Sequence, residues 1–467
     1  MIEPGEAAGR RYDLIAIGSG MGGAAAALRA STLGLKAAIV EKGALGGTCV
    51  NVGCVPTKYL LRVAEEVSDV RGMLERGLLE GSVRPRLAGI MARKRELIDQ
   101  VIAWYLDYVF PSYEVDVIRG EARLRDPHTV VVDGVAIEAR SIVVATGSEP
   151  VVPPIKGLDE ALRKGYALTS DGALSLEEAP EHLIVIGGGP VGVELATVWR
   201  GFGSRVTIVE MMPRILPGMD PDVSKSLTEV LGFMGVEVIT GSRVTAVDAE
   251  RGEVRLEDGR RIRGDRVLVA TGRRPSTRGL GLEEVGVELG PHGEVLVDDH
   301  ARTSVPSIYA VGDVTGEPYV ASKAKIQGIA AGENAAGLDS RYDASLIPMA
   351  VYSDPEAAGV GVSARKGDPG YIVKRFPAAV NYRAIASERP YGIAKIVARE
   401  SDRRIVGFHM VGLNASEVVN VAAVAIKLGL TVDEARDLVF SHPVMSEVFL
   451  DNINLLLGIN VYLPRRG

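Results

Sequence analysis

Tyr12-Asp-Leu-Ile-Ala-Ile-Gly18-Ser-Gly20-Met-Gly-Gly23 is the stretch that decides the fold. A short β-rich run enters glycines spaced G-x-G-x-x-G, and the Ala-rich segment 24–30 that follows predicts a helix. The first Gly makes the turn. The second lets the backbone approach a pyrophosphate, and the third lets the helix pack on the strand. The helix N-terminus then faces the phosphates. Glu41 follows the run Ala37-Ala-Ile-Val40 and is placed to accept a hydrogen bond from a ribose 2′-OH. The glycine pattern alone says little. Strand, helix and acid at the right spacing make it a dinucleotide-binding unit.

The unit recurs. Leu183-Ile-Val-Ile-Gly187 enters Gly187-Gly-Gly189-Pro-Val-Gly192, and Val206-Thr-Ile-Val209 ends at Glu210. In both units the acid stands at the 23rd position after the first Gly. Each copy continues into a hairpin with an Asp-Gly turn, at Asp133-Gly134 and Asp258-Gly259. Each hairpin precedes an apolar strand ending Ala-Thr-Gly, at Ala145-Thr146-Gly147 and Ala270-Thr271-Gly272. A carboxylate at Glu210 accepts from a free 2′-OH and repels a 2′-phosphate, which predicts NAD over NADP. Arg205 and Arg214 flank it and read as solvated surface charges.

The fold class is therefore α/β: two Rossmann-like nucleotide-binding domains followed by a C-terminal α+β domain. The Pro-rich stretch Glu149–Pro154 reads as the linker out of the first unit and Arg274-Pro275 as the return. This places the first part of the first domain at 1–150, the second domain at 151–275, the rest of the first domain at 276–344 and the C-terminal domain at 345–467. Segment 60–105 reads as helices inserted in the first unit.

Composition excludes several other classes. Among 467 residues the net charge is −7 and no basic block stands out, so no nucleic-acid partner is expected. No run of 18 apolar residues marks a membrane span. Residues 1–11 carry Glu3 and Glu6 and lack an apolar core, so they do not read as a signal peptide, and a cytoplasmic location is expected. Two cysteines cannot make a Cys-only zinc site, and no metal site is predicted.

Those two cysteines lie in Gly46-Gly-Thr-Cys49-Val-Asn-Val-Gly-Cys54-Val-Pro-Thr-Lys58. A cytosolic pair this close is more often catalytic than structural. Gly53, Pro56 and the run after Lys58 suggest a loop entering a helix, whose N-terminus favours a thiolate. Such a pair can close an exchangeable disulfide.

With these motifs in place, the chain resembles the FAD-dependent pyridine nucleotide–disulfide oxidoreductases over essentially its full length. Gly46–Lys58 looks like the family's redox motif. Thr303-Ser-Val-Pro-Ser-Ile-Tyr-Ala-Val-Gly312-Asp313 looks like its second FAD motif, and Phe440-Ser-His442-Pro443-Val-Met-Ser-Glu447 looks like the segment carrying its His–Glu pair. The resemblance implies that the first glycine turn holds FAD and the second NAD. It implies that Asp313 binds the ribityl chain, that Cys49 is the interchange thiol and that Cys54 faces the flavin. Lys58 matches the lysine near the flavin and Glu194 the glutamate that pairs with it. His442 is the implied acid–base, oriented by Glu447 and supplied by the other subunit of a homodimer. Lys42, Gly47, Thr48, Thr146, Gly147 and Gly272 are further cofactor-binding candidates.

Within the family the resemblance leans to the dihydrolipoamide dehydrogenases, on Glu210, Arg214-Ile-Leu-Pro-Gly218 and Ala321-Ser-Lys323-Ala-Lys-Ile-Gln-Gly328. That implies electron passage from dihydrolipoyl groups through Cys49–Cys54 and FAD to NAD⁺. It makes lipoyl domains of a 2-oxoacid dehydrogenase or a glycine cleavage system candidate partners. There are departures. Those enzymes usually read His-Ala-His-Pro-Thr where this chain has Phe440-Ser-His442-Pro-Val, and residues 101–110 are bulkier than is usual in the helix expected near the disulfide-substrate channel. The alternatives are an NAD(P)H-dependent reductase of another disulfide or of mercuric ion, and a non-catalytic redox-sensing flavoprotein. Mercuric reductases usually carry a further C-terminal cysteine pair, which this chain lacks.

Overall fold

A computed structural model describes residues 1–459 and 462–464. The chain forms two compact units, each assembled from separate segments. One comprises Met1–Tyr59, Arg86–Val151 and Gly272–Ala344; the other comprises Leu60–Pro85, Val152–Thr271 and Ser345–Gly467.

In the first unit Arg11–Ile17 is the middle strand of the parallel part of a seven-stranded mixed sheet. Ala37–Glu41 and then Asp116–Arg119 lie on one side of it, and Val135–Val144 and then Ile308–Ala310 on the other. Alternate side chains of the middle strand serve opposite faces, as the pleat dictates. Ile15 and Ile17 enter one apolar core, and Leu14 and Ala16 enter the other. A strand buried on both faces must be a continuous apolar run. The chain order reverses beside the middle strand, and such a switch point opens a crevice at the strands' carboxyl ends, where Gly18–Gly23 sits. Helix Met21–Thr32 crosses helix Ala321–Ala335 closely: a Cβ on Gly328 would lie 2.3 Å from the Gly22 carbonyl oxygen, and one on Gly332 2.6 Å from that of Ala26.

The second unit repeats the plan. His182–Ile186 is central, flanked by Arg205–Val209 and Val236–Ile239 on one side and by Arg266–Val269 and Ala167–Leu168 on the other, all parallel. Both Asp-Gly hairpins form as expected. The C-terminal segment adds a five-stranded antiparallel sheet, ordered Met349–Val351, Glu356–Gly361, Ile405–Gly412, Ile393–Arg399, Tyr371–Pro377. Helices Ala415–Lys427 and Glu447–Leu456 pack on it around Phe408, Met410, Phe449 and Ile453. No helix among the described residues is long and apolar enough to cross a membrane.

Local structure is more regular than the sequence suggests at two places. Ser148–Pro150, which overlaps the start of the Glu149–Pro154 stretch read as a linker, is a strand paired antiparallel with Arg273–Pro275. Helix Leu87–Trp104 runs on into a π-helical turn at Tyr105–Val109. Tyr105 packs into the core, while Trp104 and Tyr108 stack on each other and stay exposed.

A buried ion cluster fixes the second nucleotide-binding segment to the C-terminal sheet. Lys395 is fully buried, with its Nζ 2.5 Å from Asp220 Oδ2 and 3.0 Å from Asp222 Oδ2. Ser363 donates to Asp220 at 2.6 Å, and Asp220 also caps helix Pro221–Phe233 by accepting from the Asp222 N–H. Burial raises the Asp220 carboxyl, but the bonds from Lys395 and Ser363 outweigh it and hold it below its ordinary value. Burial also pushes the nearby His409 down. Both folded-state values lie below the unfolded ones, so both groups favour the folded state at neutral pH and lose that contribution as pH falls. Asp220→Ala leaves the buried ammonium with only its longer bond to Asp222 and is expected to cost about 3 kcal/mol, the low end of the range for a buried pair that loses a partner. The acid-side loss of stability should begin as pH drops through the ordinary histidine range. Denaturant midpoints measured against pH check both. A midpoint unmoved by Asp220→Ala contradicts the clamp.

Candidate active site

The three glycines of each turn differ in what they exclude. Gly18 has φ +106°, and a Cβ there would lie 2.5 Å from the Ala145 carbonyl oxygen; one on Gly23 would lie 1.9 Å from the Gly18 carbonyl oxygen. The chain itself therefore demands these two. Gly20 has φ −64°, and a Cβ on it meets nothing within 4 Å. The second turn matches: Gly187 (φ +109°) and Gly192 would strike Ala270 and Gly187, whereas Gly189 faces open space. Each middle glycine thus borders room for an external group at a helix N-terminus, as bound dinucleotides require, so both cradles fit such cofactors. Gly23→Ala should destabilise the fold. Gly20→Val should leave unfolding nearly unchanged yet weaken FAD binding by at least about tenfold, or 1.4 kcal/mol. Thermal unfolding and flavin content together check this, and full flavin content in Gly20→Val would contradict it.

The two acids close their turns in the same way. Glu41 accepts from the Ser19 N–H (2.9 Å), the Ser19 hydroxyl (2.6 Å) and the Gly43 N–H (2.8 Å). Glu210, buried, accepts from the N–H groups of Gly188 and Met212, each at 2.7 Å. These bonds hold each carboxylate at the end of its strand. Arg205 lies at the opposite end of that strand and donates to His182 (2.8 Å); Arg214 donates to the Pro217 carbonyl (2.8 Å). Both arginines are thus engaged locally rather than merely solvated. Ser19, which the sequence reading missed, also accepts from the Gly46 N–H at 3.1 Å and so joins the first turn to the cysteine segment.

Gly47, Thr48 and Cys49 lie on the short helix Gly47–Asn51, and Cys54 is the first residue of helix Cys54–Glu75. Gly47 comes within contact of Gly20: its Cβ position is 2.9 Å from the Gly20 Cα. Gly53 permits the tight return between the cysteines, since a Cβ there would lie 2.7 Å from the Thr48 carbonyl oxygen. The two thiols are not bonded to each other, and the Cys49 thiol is hydrogen-bonded to Cys54. That bond, then burial, push the Cys49 thiol well up, against the pull of the Lys58 charge. Cys54 begins the long helix, and the dipole of a helix N-terminus stabilises negative charge. The pair is therefore arranged for one thiol to keep its proton beside a partner suited to carry charge.

The other first-unit candidates cluster near the strand ends. Thr146 donates to the Ser276 carbonyl (2.7 Å), and Gly147 and Gly272 adopt φ +73° and +118° with open space at the Cβ position. Asp313 sits on a 3-10 turn, Gly312–Thr315, and accepts from Ser148 at 2.6 Å. Lys42 is exposed and pairs with Glu121 at 3.0 Å.

In the second unit, Glu194 is buried on helix Pro190–Phe202 and accepts from the Tyr352 N–H at 2.9 Å. His442 Nδ1 lies 2.9 Å from Glu447 Oε1, and the Val444 N–H holds Glu447 Oε2 at 2.9 Å. The His442 side chain is 55% exposed and meets the edge of Tyr382. Asp451, one helical turn beyond Glu447, was not singled out from sequence, although its i, i+4 spacing was a usable signal. Its carboxyl is pushed up to about 6 by burial and by Glu447.

Comparison with known proteins identifies the family of the chain. Residues 12–328 match the sequence profile of the pyridine nucleotide-disulphide oxidoreductases, and residues 347–453 match that family's dimerisation domain, which supports a homodimer. The chain is 35% identical to a dihydrolipoyl dehydrogenase of Geobacillus stearothermophilus, covering 97% of each chain. It is 35% identical to a mercuric reductase of Lysinibacillus sphaericus, covering 93% of this chain and 81% of that one. The structure of the HOCl-induced flavoprotein disulfide reductase RclA from Escherichia coli, in its Cu(II) complex, superposes with a TM-score of 0.86 at 28% identity, covering 96% of this chain and 100% of that one. FAD and NAD are the cofactors of this chain, and the two glycine cradles fit them. The chain belongs to the pyridine nucleotide-disulphide oxidoreductases and is a flavin-dependent disulfide oxidoreductase.

Proposed function

We propose that the protein is a dihydrolipoamide dehydrogenase: dihydrolipoyl + NAD⁺ → lipoyl + NADH + H⁺. The observation that carries this reading is the hydrogen-bonded Cys49–Cys54 pair at the start of a helix. In the oxidised pair, a substrate thiolate attacks Cys49 Sγ. The Cys49–Cys54 bond breaks and Cys54 leaves as a thiolate. The second substrate thiol then attacks the substrate sulfur of the mixed disulfide, closes the lipoyl ring and releases Cys49, which takes up a proton. His442 Nε2 accepts the substrate's thiol proton while Glu447 holds Nδ1. The raised proton affinity of Cys49 suits it to be the protonated member of the reduced pair. FAD, when bound, supplies the two-electron relay between the dithiol and the pyridine nucleotide. Gly18–Gly23, Glu41 and Asp313 would hold it, and Gly187–Gly192 with Glu210 would hold NAD, the carboxylate disfavouring a 2′-phosphate.

His442 is proposed to act in the active site of the partner subunit. The exposed apolar pair Val424 and Leu428, at 59% and 69%, supports an apolar contact between subunits on this segment. Lipoyl domains are the proposed macromolecular substrates and the cytoplasm the proposed location. A second reading, reduction of another disulfide or of a metal ion, draws support from the mercuric reductase relative and from the exposed Trp104–Tyr108 stack. Steady-state absorbance at the NADH band, with dihydrolipoamide and NAD⁺, decides between them. Turnover on the order of 10–10³ s⁻¹ supports the lipoamide reading. No turnover, with the flavin still reducible by NADH, transfers the assignment to the second reading.

A further inference from the structure

Ser148 and Arg273 form a directional clamp on Asp313. Ser148 is 8% exposed on strand Ser148–Pro150, and Arg273 begins the strand paired with it. Arg273 Nε donates to the Ser148 hydroxyl at 2.7 Å, and its Nη2 donates to the Ser148 carbonyl at 2.7 Å. A hydroxyl has one proton to give. With its lone pair engaged by the guanidinium, Ser148 must send that proton elsewhere, and Asp313 Oδ2 lies 2.6 Å away. The serine rotor is therefore fixed from both sides, and a bond to a carboxylate is among the stronger kinds. Among the described residues, Asp313 Oδ1 has no hydrogen-bond partner. Buried Lys323 adds a nearby positive charge and itself donates to the Gly316 carbonyl at the end of the Asp313 turn. The base of that turn is held separately, by Gln327 accepting from the Gly312 N–H at 2.8 Å.

We infer that Ser148, polarised and oriented by Arg273, is a positioning residue for Asp313: it occupies one carboxylate oxygen and thereby presents the other to the flavin's ribityl hydroxyls. This rests on the reading that Asp313 binds the ribityl chain. The clamp has a chemical purpose under that reading. An unclamped carboxylate can rotate, whereas one with a single oxygen committed offers the ligand a fixed acceptor, and preorganisation lowers the ordering cost of binding.

The test is a double-mutant cycle on the holoenzyme, read as the rate of FAD release after dilution into flavin-free buffer. Ser148→Ala should release FAD about tenfold faster than wild type. In an Asp313→Asn background the same substitution should change release by less than about twofold, because the group it acts through has already been altered. Arg273→Met, which keeps the hydroxyl but frees its rotor, should show the same dependence on Asp313 and serves if Ser148→Ala does not fold. An unchanged release rate in Ser148→Ala overturns the inference. So does an equal acceleration in both backgrounds, which would mean a general loosening of the fold. If Asp313→Asn alone releases FAD at the wild-type rate, it is the ribityl reading that fails, and the inference falls with it.

Discussion

Cys54→Ser is expected to lower turnover on the order of 10³-fold or more while the purified protein keeps its FAD. Serine is nearly isosteric and suits the first position of helix Cys54–Glu75. The tight return before it depends on Gly53, whose Cβ would strike Thr48 and which the substitution leaves unchanged. The groups proposed to hold the flavin, Gly18–Gly23, Glu41 and Asp313, are elsewhere in the chain. What is lost is the sulfur that leaves when Cys49 is attacked: without it no disulfide can form, and a lone Cys49 can only be trapped. Flavin absorbance reports retention and the NADH band reports turnover. Full retained activity would remove the cysteine pair from the mechanism.

His442→Ala is expected to cost roughly 10²–10⁴-fold in kcat/KM, the usual contribution of a positioned acid–base. The geometry assigns the two ring nitrogens distinct roles. Nδ1 faces Glu447 at 2.9 Å, so it carries the hydrogen there, which leaves Nε2 to take a proton. Glu447 is itself pinned by the Val444 N–H, so the ring has a fixed orientation even though the side chain is half exposed. Glu447→Gln should cost less, about tenfold, because an amide can still hold the ring but cannot stabilise the imidazolium as well. The ordering, alanine at 442 worse than glutamine at 447, is part of the prediction. A loss under about twofold for His442→Ala would refute the acid–base assignment.

What was legible in the sequence was chemistry that is local along the chain. Gly23 and Gly192 are demanded by the Gly18 and Gly187 carbonyls of their own turns, and Gly18 and Gly187 by a positive φ, so a single-sequence pattern exposes them. The repeat of strand, turn and acid predicted two sheets of one order, and His442 and Glu447 lie five residues apart. What was not legible depends on contacts across long separations. Lys395 stands in a strand of ordinary appearance, Ile393–Arg399, and only Asp220 and Asp222 explain its complete burial. Ser148 directly precedes Glu149–Pro154, a stretch whose prolines read as a linker. Its role depends on Asp313, 165 residues on. The Tyr352 N–H that holds Glu194 is a backbone group and leaves no residue-type signal at all. The π-turn at Tyr105–Val109 likewise has no sequence signature, although the bulk of residues 101–110 marked the place as unusual.

The most direct test of the central claim is an anaerobic reductive titration of the wild-type holoenzyme and Cys54→Ser side by side. If Cys49 and Cys54 form a redox pair in series with the flavin, the wild type takes up one electron pair more per flavin than the variant before its flavin is fully reduced. If the two proteins consume the same number of reducing equivalents, the cysteines are not part of the electron path and the account is wrong.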